Sequence, residues 1–357
     1  GDYLTDNSVD VEARGVYFTV NKKITLLNWQ QVYSGNTDSD GCKTFSLDYG
    51  ETYRVMVVAD AYVNGNNRFR AYLPDAGGDD PGDIHAQCVS SILGFVLNTS
   101  YQYFTYDYIT PYRTSNVMGA ATHAFNINSA SITNDELSFL TKNVADDGGT
   151  YNDDDQLIRL ENDARDSKFT IIHEMGHFVQ YVTNDHENFL TGCFATGEDA
   201  VCLCDGCHNY HSKENQGCSA QEGFADFYST AVLNDRFGTG CYFRNQACDS
   251  YSTYMVDHCQ PTPPFIYTYY DGYGVESDWV EFFWELHSGT QYWSLEKITS
   301  IFHEVNTSDW DGGGHENVIE SMSDAVYSLY GLVSKNYFDD QCDLGDGLSC
   351  DDACIGF

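Results

Sequence analysis

Short apolar runs with polar residues between them fill the first part of the chain. The runs are rich in β-branched and aromatic residues, and turn-forming residues such as those of Thr37–Gly41 separate them. This pattern predicts β-strands joined by tight turns. The predicted strands are 16–20 (VYFTV), 24–27 (ITLL), 44–47 (TFSL) and 53–58 (YRVMVV).

Residues 37–55, TDSDGCKTFSLDYGETYRV, resemble the small transthyretin-like β-sandwich modules that flank many secreted peptidases. The resemblance implies a β-sandwich module over residues 15–75, after a loose leader of residues 1–14. A β-sandwich of another topology is the alternative. The turn-rich stretch 75–82 predicts the boundary after this module.

Mixed helices and strands are predicted beyond this boundary. Residues 116–125 have a helical pattern, and a helix is also predicted after Thr133 because Thr133–Glu136 has the form of a capping box. Residues 156–160 predict a short strand. The expected fold class is therefore α+β, with a catalytic domain over residues 83–338 and the start of an acidic, cysteine-rich tail at 339–357.

The segment FTIIHEMGHFVQY, residues 169–181, predicts an amphipathic helix. Asp166 and Ser167 precede it as candidate N-caps. The apolar positions at helical spacing are Phe169, Ile172, Met175, Phe178, Val179 and Val182.

His173 and His177 lie four residues apart on this helix, so both imidazoles leave the same face. That spacing suits two bonds of about 2.0–2.1 Å to one zinc ion. Glu174 is placed to take a proton from a water molecule at the metal. The alternative is two packed histidines with no metal.

A catalytic zinc needs a third protein ligand. Gln180 and Thr183 stand where a metzincin would have glycine and histidine, so that class is excluded. A second predicted helix, residues 219–233, offers Glu222, with Asp226 one turn later to orient a ligating histidine. The alternative for Glu222 is a capping box begun by Ser219. Rival ligands in loop-like sequence are His186, Glu187, Glu198, Asp199, His208 and His211.

The pair of motifs HEMGH and EGFAD resembles the gluzincin zinc peptidases, of which thermolysin is the best-known member. The resemblance covers roughly residues 115–235. It implies that His173, His177 and Glu222 bind zinc, that Glu174 is the general base and that Asp226 supports a ligand from behind. The interval of 44 residues between His177 and Glu222 departs from thermolysin.

Gluzincins also use a downstream histidine or tyrosine to stabilise the oxyanion. Tyr270 is the chosen candidate for this role, although the predicted helix 275–286 has no histidine in the matching part. The other candidates are Tyr267, Tyr269, Tyr273, His287, His303 and His315.

Composition narrows the cellular setting. The formal net charge is −37, which disfavours nucleic acid and anionic membrane as partners. No apolar run approaches a membrane span. The 13 cysteines indicate disulfides and secretion.

Two segments have alternative interpretations. Residues 192–218 hold five cysteines and are interpreted as a disulfide-stapled loop, with a structural zinc as the alternative. The acidic residues 146–155 predict a loop that either binds calcium or is simply solvated.

The sequence thus predicts a secreted zinc-dependent endopeptidase acting on protein or peptide substrates. Two alternatives stay open. One is a non-catalytic extracellular adhesin or binding protein with a structural zinc, and the other is a peptidase specialised for glycoproteins.

Overall fold

The structure is a computed structural model. It describes residues 11, 13–63, 67–74, 81–85, 87–89, 95–96, 114–128, 136–141, 148–152, 155–161, 164, 167–184, 216–236, 241–243, 246–248, 276–305 and 318–344. The chain divides into two compact units, Gly1–Met175 and Gly176–Phe357, with the division inside one helix. Within the described ranges there are seven helices and a mixed sheet, in agreement with the predicted α+β class.

The first unit is built on one sheet. Its strands are β1 Val16–Lys23, β2 Trp29–Asn36, β3 Thr52–Val63, β4 Asn67–Pro74, β5 Pro81–His85, β6 Gln87–Val89, β7 Phe95–Val96, β8 Glu136–Thr141, β9 Gly149–Asn152 and β10 Leu157–Leu160. The main path through the sheet has the order β2-β1-β3-β4-β8-β10-β9. Strand β8 pairs in parallel with β4 and with β10, and the other pairs along this path are antiparallel.

Helix α1, Thr114–Ile127, packs against β3 and β4. Its small buried residues allow close contact, and Phe125 meets Phe69 of β4 edge to face at 5.6 Å. The residues that precede β1 are tied to the same region. Arg14 donates to the side chain of Asn126, and the Ala13 carbonyl accepts from the Thr37 hydroxyl. The described end of the expected loose leader is therefore anchored.

The long strands within residues 15–75 are β1 to β4. They share one hydrogen-bonded sheet with β8, because β4 pairs in parallel with β8 from Arg68 to Tyr72. The unit division falls at Met175. The β-sandwich module over residues 15–75 and its boundary at 75–82 stay predictions.

Four local predictions need correction. Residues 24–27 form the turn between β1 and β2, closed by hydrogen bonds to Asn28, and residues 44–47 are irregular. The segment after Thr133 is strand β8, because Leu137 and Phe139 alternate into the core between two parallel neighbours. The expected acidic loop contains strand β9, held by β10. The predictions for 16–20, 53–58, 116–125 and 156–160 are confirmed.

The second unit is mainly helical in its described part. Helix α2, Lys168–Thr183, enters it from the first unit, and the later helices follow. These are α3 Gln216–Leu233, α4 Glu276–Ser288, α5 Leu295–Glu304, α6 Val318–Tyr330 and α7 Leu332–Leu344, with the short strands β11 Cys241–Phe243 and β12 Gln246–Cys248 forming a separate pair.

Aromatic side chains fill the core of this helical unit. Phe224 of α3 lies 5.6 Å from Phe283 of α4 and 4.6 Å from Phe302 of α5, measured between ring centroids. All three are fully buried. Such edge-to-face contacts add to the apolar burial, so α3 is held on more than one side.

Helix α7 extends to Leu344, so the first residues of the predicted tail 339–357 are helical. Gly331, with φ +77°, separates α7 from α6, because only glycine adopts this conformation without strain. The remainder of the predicted tail lies outside the described residues.

Candidate metal centre

Helix α2 begins where the sequence predicts. The Ser167 hydroxyl accepts the backbone N–H of Thr170 at 2.9 Å, which makes Ser167 the N-cap. Asp166, the other candidate cap, lies outside the described residues. The expected apolar face is buried except for Val182, which is partly exposed. The helix therefore presents His173 and His177 from a firmly packed element.

Helix α3 starts earlier than the sequence suggests. It begins at Gln216, so Ser219 is already inside the helix and is fully buried. A capping box needs its serine at the N-cap, outside the helix. The interpretation of Ser219 and Glu222 as a capping box is therefore wrong, and Glu222 has no end-of-helix role to explain it.

Three predicted ligands come together. One ligand atom from each of His173, His177 and Glu222 lies within 4.8 Å of the other two. His177 Nε2 and Glu222 Oε2 are 3.2 Å apart, and their side chains are about 11% and 13% exposed. This is the only such group of three within the described part of the chain.

One pair of donor atoms has the separation that a tetrahedral ion requires. Two ligands bonded at about 2.1 Å with a tetrahedral angle lie roughly 3.4 Å apart, close to the observed separation of Nε2 and Oε2. Two imidazole nitrogens and one carboxylate oxygen are the ligands of known catalytic zinc sites. The side chains of His177 and Glu222 are partly exposed, so solvent reaches them.

A close approach of α2 and α3 accounts for this convergence. A Cβ added to Gly176 would lie 2.8 Å from Ala225 Cα and 3.1 Å from Ala225 Cβ. Only glycine fits at this position, because real Cβ atoms essentially never come so near another carbon. Gly176 stands next to His177, so the tight packing acts directly on the ligand pair.

Gly223, the neighbour of Glu222, makes a similar contact with the next helix. A Cβ there would lie 2.4 Å from Trp279 Cβ and 2.7 Å from the Glu276 carbonyl oxygen. Helix α4 therefore packs directly on the backbone of α3 beside the third ligand. The two glycines fix α3 between α2 and α4.

Glu174 is a buried carboxylate, about 5% exposed. It lies against the first residue of β9, since a Cβ at Gly149 would be 2.6 Å from Glu174 Oε1. Strand β9 pairs with β10 and is the last strand on its side of the described sheet. The candidate base therefore stands beside a sheet edge.

Asp226 is about 2% exposed and lies one turn after Glu222 on α3. A buried carboxylate requires a polar partner. This burial is consistent with the predicted role of Asp226, in which its carboxylate would accept the second N–H of a ligating histidine.

The candidate oxyanion donors divide into two sets. Tyr270, Tyr267, Tyr269, Tyr273 and His315 lie outside the described residues. His287 is buried and its Nδ1 donates to the Trp293 carbonyl at 2.9 Å. Burial lowers the pKa of His287, and the hydrogen bond to Trp293 opposes this only in part.

His303 is placed at the far end of α2. Its Nδ1 donates to the Thr183 carbonyl, the last residue of that helix, at 3.0 Å. Six residues of helix, about 9 Å, separate Thr183 from His177. The observed contact of His303 is therefore with a helix terminus.

Sequence reasoning missed the glycines at 149, 176 and 223. Each is defined by a neighbour distant along the chain or on another element, so local patterns carry little signal for it. For Gly176 in HEMGH and Gly223 in EGFAD, the sequence does offer one sign of close packing. Each glycine stands inside a predicted helix, where a helix former would be expected.

The rival ligands and the cysteine-rich loop lie outside the described residues, apart from the helical residues 216–218. Cys42 is a free, exposed cysteine. Within the described ranges, no helix combines the length and apolarity needed to cross a membrane.

Comparison with known proteins gives one family match. The family described as "Mycolysin C-terminal domain" matches residues 119–252, an interval that contains α2, α3 and all three ligands. The matched part is well under half of the chain. It supports, at a coarse level, a thermolysin-like metallopeptidase. No curated protein matches the chain significantly.

Proposed function

We propose that the chain is a secreted zinc-dependent endopeptidase. The observation that carries the proposal is the convergence of His173, His177 and Glu222 within 4.8 Å. The family match, which includes these residues, supports the same class. Proteins and peptides are then the substrates.

His173, His177 and Glu222 would hold the ion. When bound, zinc supplies Lewis acidity, which polarises the scissile carbonyl and makes a water molecule easier to deprotonate. Asp226 holds a ligating histidine in orientation by accepting its second N–H. Tyr270 is retained as the donor to the oxyanion.

Glu174 acts as the general base. It accepts the proton of the attacking water and returns it to the leaving amine. Its place beside strand β9 supports this role, because the same strand offers a route for the substrate. An extended peptide would pair with the side of β9 that carries no strand within the described residues, which places backbone bonds near the carboxylate.

The setting of the enzyme follows from composition. The 13 cysteines and the net charge of −37 favour an extracellular protein with disulfides. Calcium bound by the acidic residues within 146–155 belongs to the same proposal.

The test compares the parent protein with Glu174→Gln, which keeps the shape of the side chain and removes the base. Glu320→Gln, on the exposed face of α6, is the matched control. Zinc content and cleavage of unfolded casein are measured for all three proteins.

One zinc in each protein, with casein cleavage in the parent and the control alone, is the expected result. Loss of a general base typically lowers the rate by about 10²–10⁴-fold. One zinc without cleavage by any of them would contradict the enzyme proposal and favour the adhesin. Absence of zinc from the parent would contradict the metal site.

A further inference from the structure

A close approach between the first sheet and the candidate base occurs at Gly149. A Cβ built on this residue would lie 2.6 Å from Glu174 Oε1, 3.0 Å from Cγ and 3.1 Å from Cδ. The neighbouring Gly148 has nothing within 4 Å of the same position. The steric restriction is therefore specific to residue 149 and is directed at the end of the Glu174 side chain.

The strand has little freedom to move away. Gly149 is opposite Leu160 in the β9–β10 ladder, and Glu161 donates its N–H to the Gly148 carbonyl at 3.0 Å. Strand β10 is itself paired with β8 on its other side. A shift of β9 would break these backbone hydrogen bonds.

The backbone of α2 is equally restricted. Ile171, Ile172 and Met175, which surround Glu174 along the chain, are fully buried. Glu174 itself is buried, so its carboxylate has little access to solvent. A methyl group at residue 149 would therefore displace the carboxylate by rotation of its side chain.

We propose that Gly149 is a positioning residue for Glu174, and this proposal rests on the proposed function of Glu174 as the base. The missing side chain at Gly149 leaves the space that the carboxylate occupies beside the edge strand. Any larger residue would move the base away from the water that it must deprotonate, without touching His173, His177 or Glu222.

The experiment uses Gly149→Ala, with Gly148→Ala as the matched control on the adjacent residue. Steady-state cleavage of a quenched fluorescent casein peptide gives kcat and KM, and zinc content is measured for each protein. Gly149→Ala should lower kcat about a hundredfold, since a misplacement near 1 Å can cost that much. KM and the content of one zinc should be unchanged, and Gly148→Ala should match the parent.

Glu174→Asp distinguishes a displaced base from general damage. The shorter side chain withdraws its carboxylate from the position of the added methyl group. We expect Glu174→Asp to lower kcat strongly in the parent and much less in the Gly149→Ala protein. Additive losses in the double variant, or an unchanged kcat for Gly149→Ala, would overturn the proposal.

A second readout is independent of activity. In zinc-free protein, Gly149→Ala should lower the thermal unfolding midpoint by about 2 °C or more, and this shift should disappear when Glu174→Ala is also present. An equal shift in both backgrounds would overturn the steric contact. If the parent does not cleave the peptide, the proposed function fails, and the unfolding comparison still decides whether residue 149 contacts the carboxylate.

Discussion

Two apolar regions of this chain behave in opposite ways. In the helix pair α2–α3, apolar residues at helical spacing are buried, and Phe224 is fully enclosed. In the β1–β2 hairpin, the apolar run 24–27 forms the turn, where Leu26 and Leu27 are about 81% and 90% exposed. A short apolar run alone is therefore a poor indicator of a core, whereas a sustained period over four turns is a good one.

The largest difference between the two regions is expected on truncation of a large apolar side chain. Phe224→Ala should destabilise the protein by about 3–5 kcal/mol, because it opens a cavity among Phe283 and Phe302. Leu27→Ala should stay within about 0.5 kcal/mol, since the side chain is already in water. Urea unfolding of both variants measures the free energies. Equal losses would mean that the hairpin is packed.

Gly176→Ala tests whether α2 and α3 depend on their close contact. The added Cβ meets the Ala225 backbone, so we expect a loss of about 1–3 kcal/mol and weaker zinc binding. Gly119→Ala is the control, as it lies in α1 with ordinary contacts of 3.5 Å or more. It should stabilise by up to about 1 kcal/mol. Similar effects of the two changes on zinc affinity would contradict the role of Gly176.

Hydroxyl groups offer a smaller comparison of the same regions. Ser167→Ala removes the N-cap of α2 and should cost about 1 kcal/mol, while Ser167→Thr should retain most of the stability. In the hairpin, the Thr25 hydroxyl accepts the Asn28 N–H at 3.2 Å in an exposed turn. Thr25→Ala should cost only a few tenths of a kcal/mol. Thermal unfolding ranks the stabilities of the three variants. A larger loss of stability for Thr25→Ala than for Ser167→Ala would contradict the expected difference between the helix and the hairpin.

The last comparison concerns the pH dependence of stability. Burial lowers the pKa of His287 below its usual 6.5, so the unfolded chain takes up this proton first as the pH falls. Stability contributed by neutral His287 is therefore present above about pH 6.5 and is lost as the pH falls below it, by at most about 1.4 kcal/mol per pH unit.

His287→Gln, which does not titrate, should remove this component of the pH dependence. The measurement is the difference in unfolding free energy between pH 7.5 and 5.5 for parent and variant. A steeper loss in the variant than in the parent would have the wrong sign for a buried neutral histidine.

The sequence predicts the helices of the site better than the sheet. For α2, an N-cap, an apolar period and two histidines indicate the same element. The helix and its cap are confirmed, and His173 and His177 lie together with Glu222 in a group that could hold a metal ion. For the segment after Thr133, a local capping pattern competes with parallel pairing to β4 and β10. The strand forms because these two neighbours pair with its backbone on both sides.

The start of α3 and the role of three glycines near the site cannot be predicted from local sequence. The sequence around Ser219 has the form of an N-terminal capping box, but the helix begins three residues earlier, at Gln216. Gly149, Gly176 and Gly223 are explained by neighbours on other elements, at distances that a single sequence does not encode. Contacts between distant elements decide these positions, and local propensity does not.

Titration of metal-free protein with zinc tests the central claim most directly. Casein cleavage and bound zinc are measured together, for the parent and for Glu222→Gln. The account predicts that activity rises linearly and stops at one zinc per chain in the parent, and that Glu222→Gln requires more zinc for the same occupancy. A parent that binds one zinc and never cleaves casein would contradict the account.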